Sequence, residues 1–271
     1  MSPWIVLIAL LLFAAFLLFR WDSKRRKRER LLATPLTAQQ REAMERLVPL
    51  VRRMPSPLRE TLEGKINLFF DQVTFRGPTG LEVTEDMKVS IAAQACLLIV
   101  NSPDWYDTLR NVLIYPSTFV TGRDTHDGEL VREGSAPMLG ESWARGPVVL
   151  SWDGALQGGL DARDGYNVVF HEFAHQLDAL SGTTNGLPRL RKSQTFAGWE
   201  KAMLDAYDRQ RERLERGERT LIDPYGATNH QEFFAEAVVT FLEKSRELKS
   251  QDPALYSQFA QLLALDPAEW E

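Results

Sequence analysis

The pentad His171-Glu172-Phe173-Ala174-His175 carries the densest chemistry in this chain, and it uses two of only four histidines. Residues four apart on a helix share one face, one turn apart. Two imidazoles at that spacing converge on one tetrahedral divalent ion, and H-E-x-x-H is a zinc pattern. Glu172 follows the first histidine and is offset around the helix. It reaches the open coordination position rather than the ion, where it can take the proton of an attacking water. Val168, Val169, Phe170, Phe173, Ala174 and Leu177 make the helix largely buried. Two histidines and a glutamate there are costly without an ion or partners.

A hydrolytic zinc site needs a third protein ligand and one open position. The arrangement H-E-x-x-H-x-x-G-x-x-H is excluded, because positions 178 and 181 hold Asp178 and Ser181. Asp178 lies on the face of His171 and reads as a carboxylate orienting an imidazole, or as a solvated helical charge. The third ligand is better sought in Gln231-Glu232-Phe233-Phe234-Ala235-Glu236-Ala237. Glu232 leads. Glu236, four residues on, shares its face, so one carboxylate would bind the ion and the other support the site. His230 and His126 read as loop histidines. Tyr225, just before this segment, reads either as a phenol aimed at a developing oxyanion or as a packing aromatic.

These residues need helices to hold them. The pattern predicts a helix from about 164 to 180, stopped at Gly182, and another over 231–247. Further helices are expected from Thr37, which with Gln40 forms a capping box, from Thr84 to about 100, over 197–217 and over 253–264. Residues 58–75 read as a helical start followed by a β-rich stretch around Phe69–Phe75. Strands are expected at 81–83, 111–115 and 147–152. The lone cysteine, Cys96, excludes an intrachain disulfide and reads as a small buried hydrophobe.

Met1 to Phe19 contains no charged residue. As a helix it spans about 28 Å, close to a bilayer's hydrocarbon thickness. Lys24-Arg25-Arg26-Lys27-Arg28 follows at once. Charge after the apolar run, with no small-residue cleavage site, argues against a signal peptide. The positive-inside rule puts the remainder in the cytoplasm. The expected organisation is a transmembrane helix over 1–19, a basic juxtamembrane linker over 20–36 and a single domain over 37–271. Net charge is −5. Residues 20–30 hold seven basic residues against Asp22 and Glu29, so the rest is more acidic still. Such a body is a poor direct nucleic-acid binder.

His-Glu-Phe-Ala-His-Gln-Leu-Asp at 171–178, Gly-Leu-Glu-Val-Thr at 80–84, Gln-Ala-Cys-Leu at 94–97, Trp105-Tyr106 and Tyr115-Pro116-Ser117 resemble the Mlc titration factor A family of bacterial zinc peptidases. Gly140-Glu141-Ser142-Trp143 and Gly146-Pro147-Val148-Val149-Leu150-Ser151-Trp152 add to the likeness, which spans roughly residues 60–265. It implies an α+β zincin-like fold of the gluzincin type, similar to the catalytic domain of anthrax lethal factor, here preceded by one transmembrane helix. It implies Glu232 as third zinc ligand beside His171 and His175, and Tyr225 beside Glu172 as a catalytic residue. It implies aminopeptidase-type hydrolysis of a peptide or protein substrate. The best-known member also binds the glucose repressor Mlc, so a transcriptional repressor is an implied partner. That member is soluble and has no acidic counterpart of Glu236. The expectation is therefore a zinc peptidase at the cytoplasmic face of the inner membrane. Its rival is a membrane-held regulatory binder that sequesters a repressor and uses zinc structurally.

Overall fold

A computed structural model describes residues 3–117 and 146–270 of the chain. His126 and the Gly140–Trp143 motif lie outside the described residues.

Helix α1 (Pro3–Ala33) is longer than the apolar run that begins it. The basic stretch expected to be a linker continues it without a break. Arg26–Asp22 and Arg25–Glu29 pairs one turn apart, each at 2.8 Å, support it there. The far end of α1 is docked rather than free. Its partner is α3 (Ser56–Gln72), which follows α2 (Ala38–Leu47). A Cβ at Gly64 of α3 would stand 2.1 Å from the Leu32 carbonyl oxygen, so only glycine admits this crossing. Lys27 pairs with Asp71 at 2.5 Å, and Arg28 lies over the Trp105 ring at 5.4 Å. The capping box of α2 forms as expected: Gln40 N–H donates to Thr37 Oγ1 at 3.2 Å, and Thr37 N–H donates to Gln40 Oε1 at 3.1 Å.

The β-rich stretch expected at 69–75 is mostly helix. Leu62, Ile66, Phe69 and Val73 are all buried, a helical spacing that carries α3 to Gln72. Strand β1 (Thr74–Arg76) is only three residues long. The segment 81–83 is not a strand. It leads into α4 (Glu85–Leu97), capped by Thr84 and buried from Met87 to Leu97 apart from Lys88. Cys96 is fully buried there. Strands β2 (Asn111–Tyr115) and β3 (Val148–Ser151) complete a parallel sheet of order β1-β2-β3, in which Phe75 faces Val112 and Ile114 faces Leu150. Among the described residues β3 is an edge.

The chain then turns at Ser151, whose Oγ accepts the Gly154 N–H at 3.3 Å, into α5 (Trp152–Leu160). Next come α6 (Val168–Ala179), α7 (Phe196–Glu215), α8 (His230–Glu243), α9 (Ser245–Gln251) and α10 (Pro253–Leu263). The helix expected over 231–247 is broken at Lys244 into α8 and α9. Helices α6 and α8 pack against each other, and α6 also lies against β3. Aromatic contacts tie the back of α6 to the core: Phe173 sits 5.3 Å from Tyr106 and 5.9 Å from Phe69, ring centre to ring centre.

Candidate metal centre

Helix α6 starts at Val168 because Asn167 caps it, its Oδ1 accepting the Phe170 N–H at 2.9 Å. The same side chain donates from Nδ2 to Gln94 Oε1, Gly158 O and Glu243 Oε1 at 2.9–3.0 Å. The cap of the histidine helix is thereby bound to α4, α5 and the end of α8. Asn167 is not among the residues singled out by the sequence, although an asparagine immediately before an apolar run is an N-cap signal.

Helix α8 is capped by Asn229, which accepts the N–H groups of Gln231 and Glu232 at 2.9 and 3.0 Å. It presents Glu232 to α6. His171 Nε2 and His175 Nε2 stand 3.1 Å apart, and Glu232 Oε2 lies 3.1 Å from the first and 3.3 Å from the second. Glu236 takes the supporting position: its Oε1 is 3.2 Å from His171 Nδ1. An Nδ1–H donated to Glu236 leaves a lone pair on Nε2, the tautomer a metal requires.

The residues fit a divalent ion. Donor atoms around a tetrahedral zinc at about 2.0–2.2 Å stand about 3.3–3.5 Å from one another. The three atoms here approach that triangle. Glu232 Oε2 is buried and makes no hydrogen bond, despite its closeness to both rings. A buried carboxylate oxygen and two imidazole nitrogens within 3.3 Å of one another are explained by a cation between them. Electrostatics agree. Burial opposes charging His171, but Glu232, Glu236 and Glu172 outweigh it and raise its pKa. Burial likewise opposes ionising Glu232, and the two imidazoles outweigh it and lower its pKa. The pocket favours positive charge.

Glu172 is set one residue round the helix from His171. Desolvation raises its pKa, partly offset by the two histidines. Tyr225 lies on a short turn, Pro224–Ala227, opened by Asp223 Oδ1 accepting the Tyr225 N–H at 2.8 Å. This turn packs on α8 at Phe233 and Glu236, where even a Cβ on Gly226 would be within 3.4 Å of both. The Tyr225 ring centre stands 6.0 Å from that of His171. Asp178 is fully buried, so it is not a solvated helical charge. His230 is exposed and stacks edge-on against Tyr207 at 4.5 Å, away from the three donor atoms.

Comparison with known proteins places the chain in a family. The family described as glucose-regulated metallo-peptidase M90 matches residues 21–263, so the match begins just past the apolar run. An uncharacterized protein of Synechocystis sp., slr2042, is 36% identical over 245 residues, covering 89% of each chain. Mlc titration factor A of Yersinia pestis is 31% identical over 237 residues, covering 86% of each chain, and that of Yersinia pseudotuberculosis matches equally. The match covers most of the chain and includes the three side chains that could hold a metal ion, and the chain belongs to the glucose-regulated metallo-peptidase family M90.

Proposed function

We propose that the chain is a zinc-dependent peptidase, of aminopeptidase type, held at the cytoplasmic face of the membrane by α1. The observation that carries the peptidase reading is the convergence of His171, His175 and Glu232 within 3.3 Å, with Glu172 alongside on the same helix. These three would hold zinc. The ion supplies Lewis acidity to the reacting water and the scissile carbonyl.

The remaining steps belong to the chain's own residues. Glu172 accepts a proton from the water as it attacks, and its raised pKa suits it to do so and then to protonate the leaving amine. Tyr225 donates its phenolic hydrogen bond to the oxyanion that develops on the carbonyl carbon's substituent oxygen. Glu236 holds His171 in one tautomer. The β3 edge, free among the described residues, is suited to pair with an extended peptide beside α6.

Glu172→Gln tests this assignment. Zinc content should be unchanged while peptide hydrolysis falls by about 10²–10⁴-fold. Unchanged hydrolysis would remove Glu172 from the chemistry.

The membrane reading rests on α1. It is the one helix among the described residues long and apolar enough to cross a bilayer. Its apolar side chains, such as Trp4, Leu12 and Phe19, are exposed among the described residues. The basic residues that follow orient the body to the cytoplasm. A reporter fused after residue 271 should be active in the cytoplasm, and periplasmic activity would reverse the topology.

A second reading, sequestration of a transcriptional repressor, draws on the name Mlc titration factor A carried by the Yersinia relatives. Under that reading Glu172→Gln would leave repressor binding and phenotype intact.

A further inference from the structure

Asp178 closes the last turn of α6, and its side chain is fully buried. Its Oδ2 accepts the Gly186 N–H at 2.7 Å, while Oδ1 has no hydrogen-bond partner. Burial outweighs the backbone N–H groups of Gly186, Asn185 and Leu187 and the nearby His175, and pushes its carboxyl up to about 6. A buried carboxylate with an unpaired oxygen is costly to keep. Its position suggests what it does.

Gly186 is the point where the loop leaving α6 meets the start of α8. Its φ is +78°, and a Cβ there would lie 2.6 Å from the carbonyl oxygen of His230. The Gly186 carbonyl accepts Trp199 Nε1–H at 3.2 Å, and the Gln231 side-chain amide donates to the Thr184 carbonyl. His230 and Gln231 are the first two residues of α8, and Glu232 is the third. A continuous route therefore runs from the end of the histidine helix, through Asp178 and Gly186, to the residue that completes the donor set.

We infer that Asp178 is a positioning residue for the metal centre: it pins the 182–187 loop as a splint that seats the first turn of α8, and with it the Glu232 carboxylate, against His171 and His175. Asp178 acts through Gly186 and the α8 backbone. The inference rests on the proposed metal site and adds a residue to it.

The splint and the negative charge of Asp178 are separable. Asparagine keeps an oxygen for the Gly186 N–H and removes the charge; alanine removes both. Zinc affinity of the full-length chain in detergent micelles is measured by competition with a chromophoric chelator. The visible spectrum of the cobalt(II)-substituted protein reports the geometry of the donor set. Asp178→Ala should weaken zinc binding by about tenfold or more and alter the cobalt bands, while Asp178→Asn should restore most of the affinity and the native spectrum. Gly186→Ala, which strains the other end of the splint, should reproduce the alanine defect. Asp178→Ala with Gly186→Ala should be less than additive, as for two residues in one linkage. If Asp178→Ala does not fold, Gly186→Ala and Asp178→Asn decide the matter alone.

Wild-type affinity and spectrum in Asp178→Ala or Gly186→Ala would overturn the inference. So would an Asp178→Asn defect as large as that of alanine, which would assign the effect to charge. A wild-type chain that binds neither zinc nor cobalt would remove the metal reading itself.

Discussion

Glu243 makes a quantitative prediction about pH. It is the last residue of α8 and is buried. Its two oxygens accept from Asn167 Nδ2 at 3.0 Å and from the Gly165 N–H at 3.1 Å. Burial pushes its carboxyl up to about 8 from 4.5, those two donors only partly offsetting it, with Asp164 and Asp161 adding repulsion. A folded-state pKa above the unfolded one means the folded protein holds the proton more tightly. Stability from this group is complete below about 4.5 and is lost as pH rises through 8. Each pH unit in the middle of that window costs about 1.4 kcal/mol and less at its two ends, so raising pH from 5 to 8 should cost about 3–4 kcal/mol. That is a large share of a domain's usual stability of about 5–15 kcal/mol. Glu243→Gln removes the titration. Unfolding free energies of the full-length chain and this variant, measured in parallel at pH 5, 6, 7 and 8, isolate the effect from every other titrating group. The difference between the two proteins should change by about 3–4 kcal/mol across the series, with the variant gaining on the wild type as pH rises. Parallel curves would mean that Asn167 and Gly165 hold the charge at no cost, and the burial argument would be wrong.

Two further perturbations probe the scaffold and the site. Gly64→Leu places a side chain where the Leu32 carbonyl already sits and should lift α1 off α3. Trypsin should then cut within Lys24–Arg30 faster than in the wild type, and equal rates would show that α1 is not docked there. Glu236→Leu removes the acceptor facing His171 Nδ1 and should weaken zinc binding by about 10–100-fold, as measured by chelator competition. Unchanged affinity would show that His171 needs no help with its tautomer.

The convergence of the candidate metal ligands was legible in the sequence because chemistry and periodicity coincide there. Two histidines at helical spacing need no tertiary information to face one way. The choice between Glu232 and Glu236 did need it. Both lie on one face of α8, and only the packing of α8 on α6 shows Glu232 facing both Nε2 atoms and Glu236 facing Nδ1. Local signals such as the Thr37 and Thr84 caps read correctly because they act within one turn. Phe69 and Phe70 misled because aromatic pairs suit strands as well as helices, and the buried spacing that settles the matter depends on what packs against α3. Helix α5 escaped notice because Gly154, Gly158 and Gly159 mask a helical pattern. A Cβ at 158 or 159 would fall within 3.0 Å of Asn167 or the Leu47 carbonyl, a closeness invisible from sequence. The continuity of α1 through its basic half was hidden for a similar reason: a charged run reads as solvated until a partner such as Asp71 appears.

Zinc content tests the central claim most directly. Elemental analysis of the purified, folded chain at neutral pH, after equilibration with zinc and removal of the excess, should find about one ion per chain. Glu232→Ala, prepared identically and equally folded, should lose most of it. A folded wild type that retains no zinc, or a Glu232→Ala protein that retains it in full, would contradict the account.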